Sequence, residues 1–397
     1  MKKLLFLGLI LTIGITLTGC KKDDVVVDPD PLECTSPQVL NDAGTACVDP
    51  EPDPDPVIDT YEIAMITDSG TIDDESFNQG TWEGIIEFCT TNDLTYKYYK
   101  PSEVSDDAYL AAIDLAIQGG AKVVVTPGFL FESSIYAAQD LYPTVKFVLI
   151  DGTPHDVTWS TWKTADNTLP ILFNEHESGF LAGYAAVKDG FTELGFVGGM
   201  AVPAVVKFGI GFIAGAYLAA DEDGVTLGFG DDTYDYFGDF GPSDTHKAQA
   251  ASWYTGGTEV IFAAAGGAGS SVMSAAEDAS EWMIGVDIDQ HSKSTTVLTS
   301  AMKQLGNAVQ DALQLYVDDA FVGGTTSVKG AVNDGVALPM ANSQFAVFTQ
   351  ADYDVIYAKL VDGTIVVPVD YATLETFLTA LGAVNYPTQD VVTPPAS

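Results

Sequence analysis

The sequence predicts an α/β protein of two lobes, each a parallel sheet covered by helices on both faces. From about residue 59 onward, short apolar runs alternate with helical patterns, the order that builds parallel sheets through strand–helix–strand units. The pattern continues for roughly 320 residues, more than one ordinary sheet takes up, so two lobes are expected. Polar or glycine residues recur directly after the apolar runs, where open α/β sheets bind their ligands.

Taken in order, the chain opens with Met1-Lys-Lys and an apolar run from Leu4 to Leu17, too short to span a bilayer. Residues 1–19 are therefore read as a signal peptide. Leu17-Thr-Gly-Cys20 resembles a bacterial lipobox, in which cleavage ahead of Cys20 leaves that thiol to carry a diacylglycerol. Two acyl chains anchor stably, which places the chain on the extracytoplasmic face of a cell membrane. No later run reaches the roughly 18 apolar residues needed to span. Residues 20–57 shift to Asp, Pro and Glu, ending in Asp49-Pro-Glu-Pro-Asp-Pro-Asp-Pro56, and read as an extended acidic tether. Within it, Cys34 and Cys47 flank a turn-like stretch and are candidates for a disulfide outside the cytoplasm. Metal binding by the pair is disfavoured because no His lies near.

Residues 58–397 are read as the binding domain. Candidate strands are Ile63 to Ile66, Ala121 to Thr126, Lys146 to Ile150, Gly195 to Val197, Thr226 to Phe229, Val260 to Ala263, Met283 to Val286 and Thr296 to Leu298. Helical patterns fall between them at about 107–118, 130–141, 176–188, 204–219, 244–254, 270–279 and 302–316. With 47% hydrophobic residues among 397, the chain can bury a large core. Its formal charge of −40, and basic residues that are all lysine, make it repel nucleic acid and deny it an arginine fork for phosphate.

Strand Ile63 to Ile66 runs into Asp68, an acidic loop, and a helix that begins at about Phe77. Ser76 and Gln79 have the spacing of a capping box. Trp82, Ile85, Ile86 and Cys89 form the helix's inward stripe, which leaves Phe77 and Asn78 facing the loop. Phe77 either stacks on a ligand or covers the helix end. Further along, Phe147-Val-Leu-Ile-Asp151, Ala263-Ala-Ala-Gly266 and Ile284-Gly-Val-Asp287 bring two carboxylates and bare backbone to strand ends. The glycine run lacks the spacing of a phosphate loop, and carboxylates around it would repel phosphate, so a neutral, hydroxyl-rich ligand suits the set.

The stretch TDSGTIDDESFNQGTWEG at 67–84 resembles the signature of the basic membrane protein family, substrate-binding lipoproteins of ABC transporters that include purine nucleoside receptors. Similar blocks follow in order at Gly195–Met200, Phe208–Gly215, Ala263–Gly269, Gly285–Gln290 and Val297–Lys303, so the resemblance covers about residues 60–380. It implies a type I periplasmic-binding-protein fold with the ligand between the lobes, a permease as partner, no catalysis and no cofactor. By the same resemblance Phe77 and Phe240 sandwich a purine, Asp151 reads the base edge with Asp68 and Asn78 alongside, and Gly266, Asp287 and Lys303 hold the ribose. The alternatives are a sugar-binding lipoprotein of the same fold and a surface antigen that transports nothing. A nucleoside hydrolase is disfavoured: Ile66 stands where its calcium motif needs an aspartate, and the four histidines are scattered.

Overall fold

A computed structural model of the chain describes Cys34, residues 38–40, residues 45–48 and residues 60–394. The residues read as a signal peptide, Cys20 and most of those read as a tether lie outside the described residues. The chain divides into two units, residues 1–58 and 59–397. In the first, β1 (Val39–Leu40) and β2 (Cys47–Val48) pair antiparallel, and Cys34 is joined to Cys47 by a disulfide.

The second unit holds two six-stranded sheets. In chain order its strands are β3 (Ile63–Ile66), β4 (Tyr96–Tyr99), β5 (Val123–Pro127), β6 (Lys146–Ile150), β7 (Thr168–Phe173), β8 (Leu194–Gly198) and β9 (Tyr234–Tyr236). There follow β10 (Val260–Ala264), β11 (Trp282–Asp287), β12 (Val297–Lys303), β13 (Ser327–Lys329) and β14 (Val336–Ala337). Lobe 1 has the order β4-β3-β5-β6-β7-β13, all parallel. Lobe 2 has β9-β8-β10-β11-β12-β14, parallel except for the short β14 at its edge. The central strands are apolar runs buried on both faces, as parallel sheets under helices require.

Both sheets reverse their strand order beside the first strand, between β3 and β5 and between β8 and β10, and ligands bind at such switch points beyond the strand ends. The chain crosses between lobes three times: from β7 into helix Glu175–Lys188, from β12 into helix Leu305–Val317, and from β13 to β14. The crossings are tied together. Asn174 N–H donates to the Lys329 carbonyl at 2.8 Å, Ser178 Oγ to the Met302 carbonyl at 3.0 Å, and Ala331 N–H to Glu177 Oε2 at 2.6 Å.

Several expectations change. Thr226 to Phe229 is not a strand; Gly228 makes one isolated bridge to Glu193, and the edge strand is β9. The helix expected from 302 starts at Leu305, because β12 runs on to Lys303. On helix Phe77–Thr91 the buried side includes Trp82, Ile85, Phe88 and Cys89, whereas Ile86 is half-buried. Helix Pro203–Asp223 is apolar and long enough to cross a membrane by composition, contrary to the expectation that no such run exists. Its residues from Phe208 to Ala220 are mostly buried in the lobe 2 core, where it packs along Glu175–Lys188.

Candidate functional site

The expected capping box on helix Phe77–Thr91 forms differently. Ser76 makes no cap; the Asp74 carboxylate instead accepts from the N–H groups of Ser76, Asn78 and Gln79, each at 3.0 Å. Gln79 Oε1 does reach back, accepting from Glu75 N–H at 3.0 Å. Asn78 is buried and its Nδ2 donates to Asp68 Oδ1 at 2.9 Å and Asp74 Oδ2 at 2.7 Å. Asp68 lies against Gly128 at the end of β5, on the lobe 1 switch point. Burial raises the pKa of Asp68 and Asp74, against the hydrogen bonds from Gly70 and Asn78 in the first case and from Asn78 and Gln79 in the second. Asp68 and Asn78 thus hold the loop that delivers Phe77.

Lys303, the last residue of β12, is 4% exposed and stands at the centre of the site. Its ammonium pairs with Asp151 Oδ2 and lies 3.6 Å from Asp287 Oδ1 and 3.9 Å from Glu175 Oε1. Three rings surround it: Phe77 at 4.8 Å from the centroid, Phe208 at 5.3 Å and Phe173 at 5.8 Å. Burial alone would lower the Lys303 pKa, but Asp151, Asp287 and Glu175 outweigh it and raise it. Asp151 shows the opposite balance. Burial pushes its carboxyl up to about 7 despite the pull of Lys303, with Glu175 and Asp287 adding to the rise. Asp151 Oδ1 is buried and accepts no hydrogen bond among the described residues.

Asp151 and Asp287 are both left-handed, at φ 56° and 65°, the first directly after β6 and the second as the last residue of β11. A non-glycine residue pays roughly 1–2 kcal/mol for that conformation, so it persists where surrounding contacts enforce it. Ser76 Oγ donates to Asp287 Oδ2 at 2.5 Å, joining lobe 1 to lobe 2.

Phe240 belongs to lobe 2, while Phe77 packs against the lobe 1 core. The Phe240 ring lies over the backbone at the lobe 2 switch point. A Cβ on Gly199 would come within 2.3 Å of its Cδ1, and one on Gly266 would lie 3.4 Å away. Gly266, at φ 53°, is left-handed as well. The structure therefore brings Phe77, Asp151, Asp287 and Lys303 together, sets Asp68 in the adjoining loop with Asn78 beside it in the first turn of the helix, and pairs Phe240 with Gly266. Lys303 and Asp151, expected on different parts of a ligand, are in direct contact.

Sequence reasoning missed Glu175 and Phe173, and it weighed Phe208 only as a competitor for the place given to Phe240. Glu175 is buried behind Lys303 and also 3.3 Å from Lys207 Nζ. Its signal was Asn174-Glu175 directly after an apolar run, but Pro170 inside Thr-Leu-Pro-Ile-Leu-Phe173 argues against a strand and hid β7.

Residues 61–370 match the family model described as ABC transporter substrate-binding protein PnrA-like. The ABC transporter nucleoside-binding protein BmpA of Lactococcus lactis subsp. cremoris is 31% identical over 333 residues, 77% of this chain and 89% of that protein. Basic membrane protein D of Borreliella burgdorferi is 27% identical over 328 residues, 80% of this chain and 90% of that protein. Among solved structures, an ABC transporter solute-binding protein from Aeropyrum pernix K1 shares the fold with a TM-score of 0.67 at 20% identity, covering 81% of this chain and 97% of that one.

Proposed function

The chain belongs to the PnrA-like, or basic membrane protein, family of ABC transporter substrate-binding proteins, and from that premise we propose that it captures a purine nucleoside for uptake. As a member of that family it is a non-catalytic binding component that works with a membrane permease. The observation that carries the nucleoside reading is the Phe77–Lys303–Asp151–Asp287 cluster, in which Lys303 and Asp287 are buried and to which both lobes contribute. An aromatic face suits a planar base, and carboxylates suit the hydroxyls of a ribose. The −40 charge and the lack of arginine weigh against a phosphorylated ligand. The relative named as nucleoside-binding supports the same choice.

Phe77 and Phe240 would stack on the base, with Asp151 on its edge and Asp68 and Asn78 alongside. Gly266, Asp287 and Lys303 would hold the ribose. Anchoring through a lipid on Cys20 belongs to the same proposal, and places capture outside the cell membrane. The test is calorimetric titration of the purified chain with nucleosides, free bases and sugars. Saturable heat with inosine or guanosine, and weaker binding of the free bases, is the expected result. Binding of a sugar with no response to any nucleoside overturns the reading.

A further inference from the structure

Three polar contacts join the lobes along one edge of the cleft. Ser76 Oγ donates to Asp287 Oδ2 at 2.5 Å, Gln290 Nε2 donates to the Glu75 carbonyl at 2.7 Å, and Lys293 Nζ lies 3.1 Å from Glu75 Oε1. The lobe 1 partners are two consecutive residues ahead of helix Phe77–Thr91. The lobe 2 partners all lie within 287–293, from the last residue of β11 onward. Between them Ile288, from lobe 2, packs against the lobe 1 core and the backbone of Gly80.

These contacts are built rather than incidental. Ser76 is fully buried and Gln290 nearly so. Glu75 is held at a left-handed φ of 58°, with its N–H bonded to Gln79 Oε1, which leaves its carbonyl to receive Gln290. Gln290 is fixed in turn by its own N–H, which donates to Ser300 Oγ at 3.1 Å.

We infer that Glu75 and Ser76, with Asp287, Gln290 and Lys293, form a latch that holds the lobes closed and sets how slowly a bound ligand leaves. Hinge closure about a ligand is a general motion of two-lobed binding proteins, and the crossing strands supply the hinge here. Ser76 is a positioning residue: closure brings its hydroxyl onto the Asp287 carboxylate and so fixes the orientation of that group. The two buried hydrogen bonds dominate, because breaking either strands a buried polar group, whereas the half-exposed Lys293–Glu75 pair contributes little. The kinetic part of the inference rests on the nucleoside reading; the closure part does not.

The test uses the full chain with nitroxide labels on Asp107→Cys in lobe 1 and Asp244→Cys in lobe 2, both exposed. Pulsed electron resonance reads the distance between lobes without ligand, and stopped-flow reads inosine exchange. Ser76→Ala and Gln290→Ala should each lengthen the distance and speed inosine dissociation about tenfold, with little change in association. Ser76→Thr, which keeps the hydroxyl, should behave like the parent. Unchanged distances in both variants, or longer distances with an unchanged dissociation rate, overturn the latch. If inosine does not bind, the nucleoside reading falls and the distances alone decide the latch.

Discussion

At the scale of single residues, Phe77 and Asp151 have contributions that can be separated. Stacking of a base on an aromatic ring is worth about 1–3 kcal/mol, so Phe77→Ala should weaken nucleoside binding roughly five- to 150-fold. Phe77→Tyr should keep most of the affinity. A variant that loses only thermal stability would show the ring to be a helix-end cover. Asp151 predicts a pH effect of definite sign. Its folded pKa of about 7 lies above the ordinary 3.8, so the folded protein holds this proton more tightly than the unfolded chain does. That stabilisation is complete below about pH 4 and is lost as pH rises through 7. His176 runs the other way: burial, aided by Lys207, lowers it to about 4 from 6.5, so its contribution is lost as pH falls. The difference between parent and Asp151→Asn isolates the first effect. Across pH 4 to 7 the Tm of the parent should fall relative to that of Asp151→Asn, and parallel profiles would show that Asp151 titrates normally.

At the scale of elements, helix Phe77–Thr91 is started by Asp74, which accepts three backbone N–H groups. Replacing an N-terminal cap with Ala costs roughly 0.5–2 kcal/mol, and Asp74→Ala should reach the upper end in denaturant unfolding. A loss below about 0.5 kcal/mol would mean that the helix start is held by its neighbours. The sequence pattern announced a polar start to this helix but named the wrong residue, since Ser76 fits the spacing and spends its hydroxyl on Asp287, 211 positions away. Elements were legible where burial is two-sided. Val123–Pro127, opened by three valines, and Val260–Ala264, apolar throughout, are buried at every residue and leave little choice but a covered strand. Edge strands were not: Tyr96–Tyr99 and Tyr234–Tyr236 mix Lys or Asp into the run because neither is buried throughout. Asp68, Asp151 and Asp287 were legible as strand-end carboxylates. That Asp151 and Asp287 share one lysine with Glu175 follows from the packing of two lobes, which no local pattern encodes.

At the scale of the whole molecule, the proposed anchor and the proposed binding residues fall on different stretches of chain. Every residue proposed to touch the ligand lies between Asp68 and Lys303, inside the two-lobed unit that begins at residue 59. The lipid attachment proposed for Cys20 precedes it by the acidic, proline-rich stretch of residues 21–57. An anchor separated in this way can restrict where the protein resides without altering the affinity of its cleft. Cys20→Ala should therefore move the protein from the membrane fraction to the soluble fraction of the cells, while calorimetry of the purified variant gives the parent's nucleoside affinity. The size of the shift follows from the anchor: two acyl chains hold a protein stably, and an uncleaved signal segment with only 14 residues between Leu4 and Leu17 is short of a bilayer's thickness. Continued membrane association of the variant would remove the lipid from the proposal. An affinity that changed with the anchor would show instead that the segment ahead of residue 59 takes part in binding.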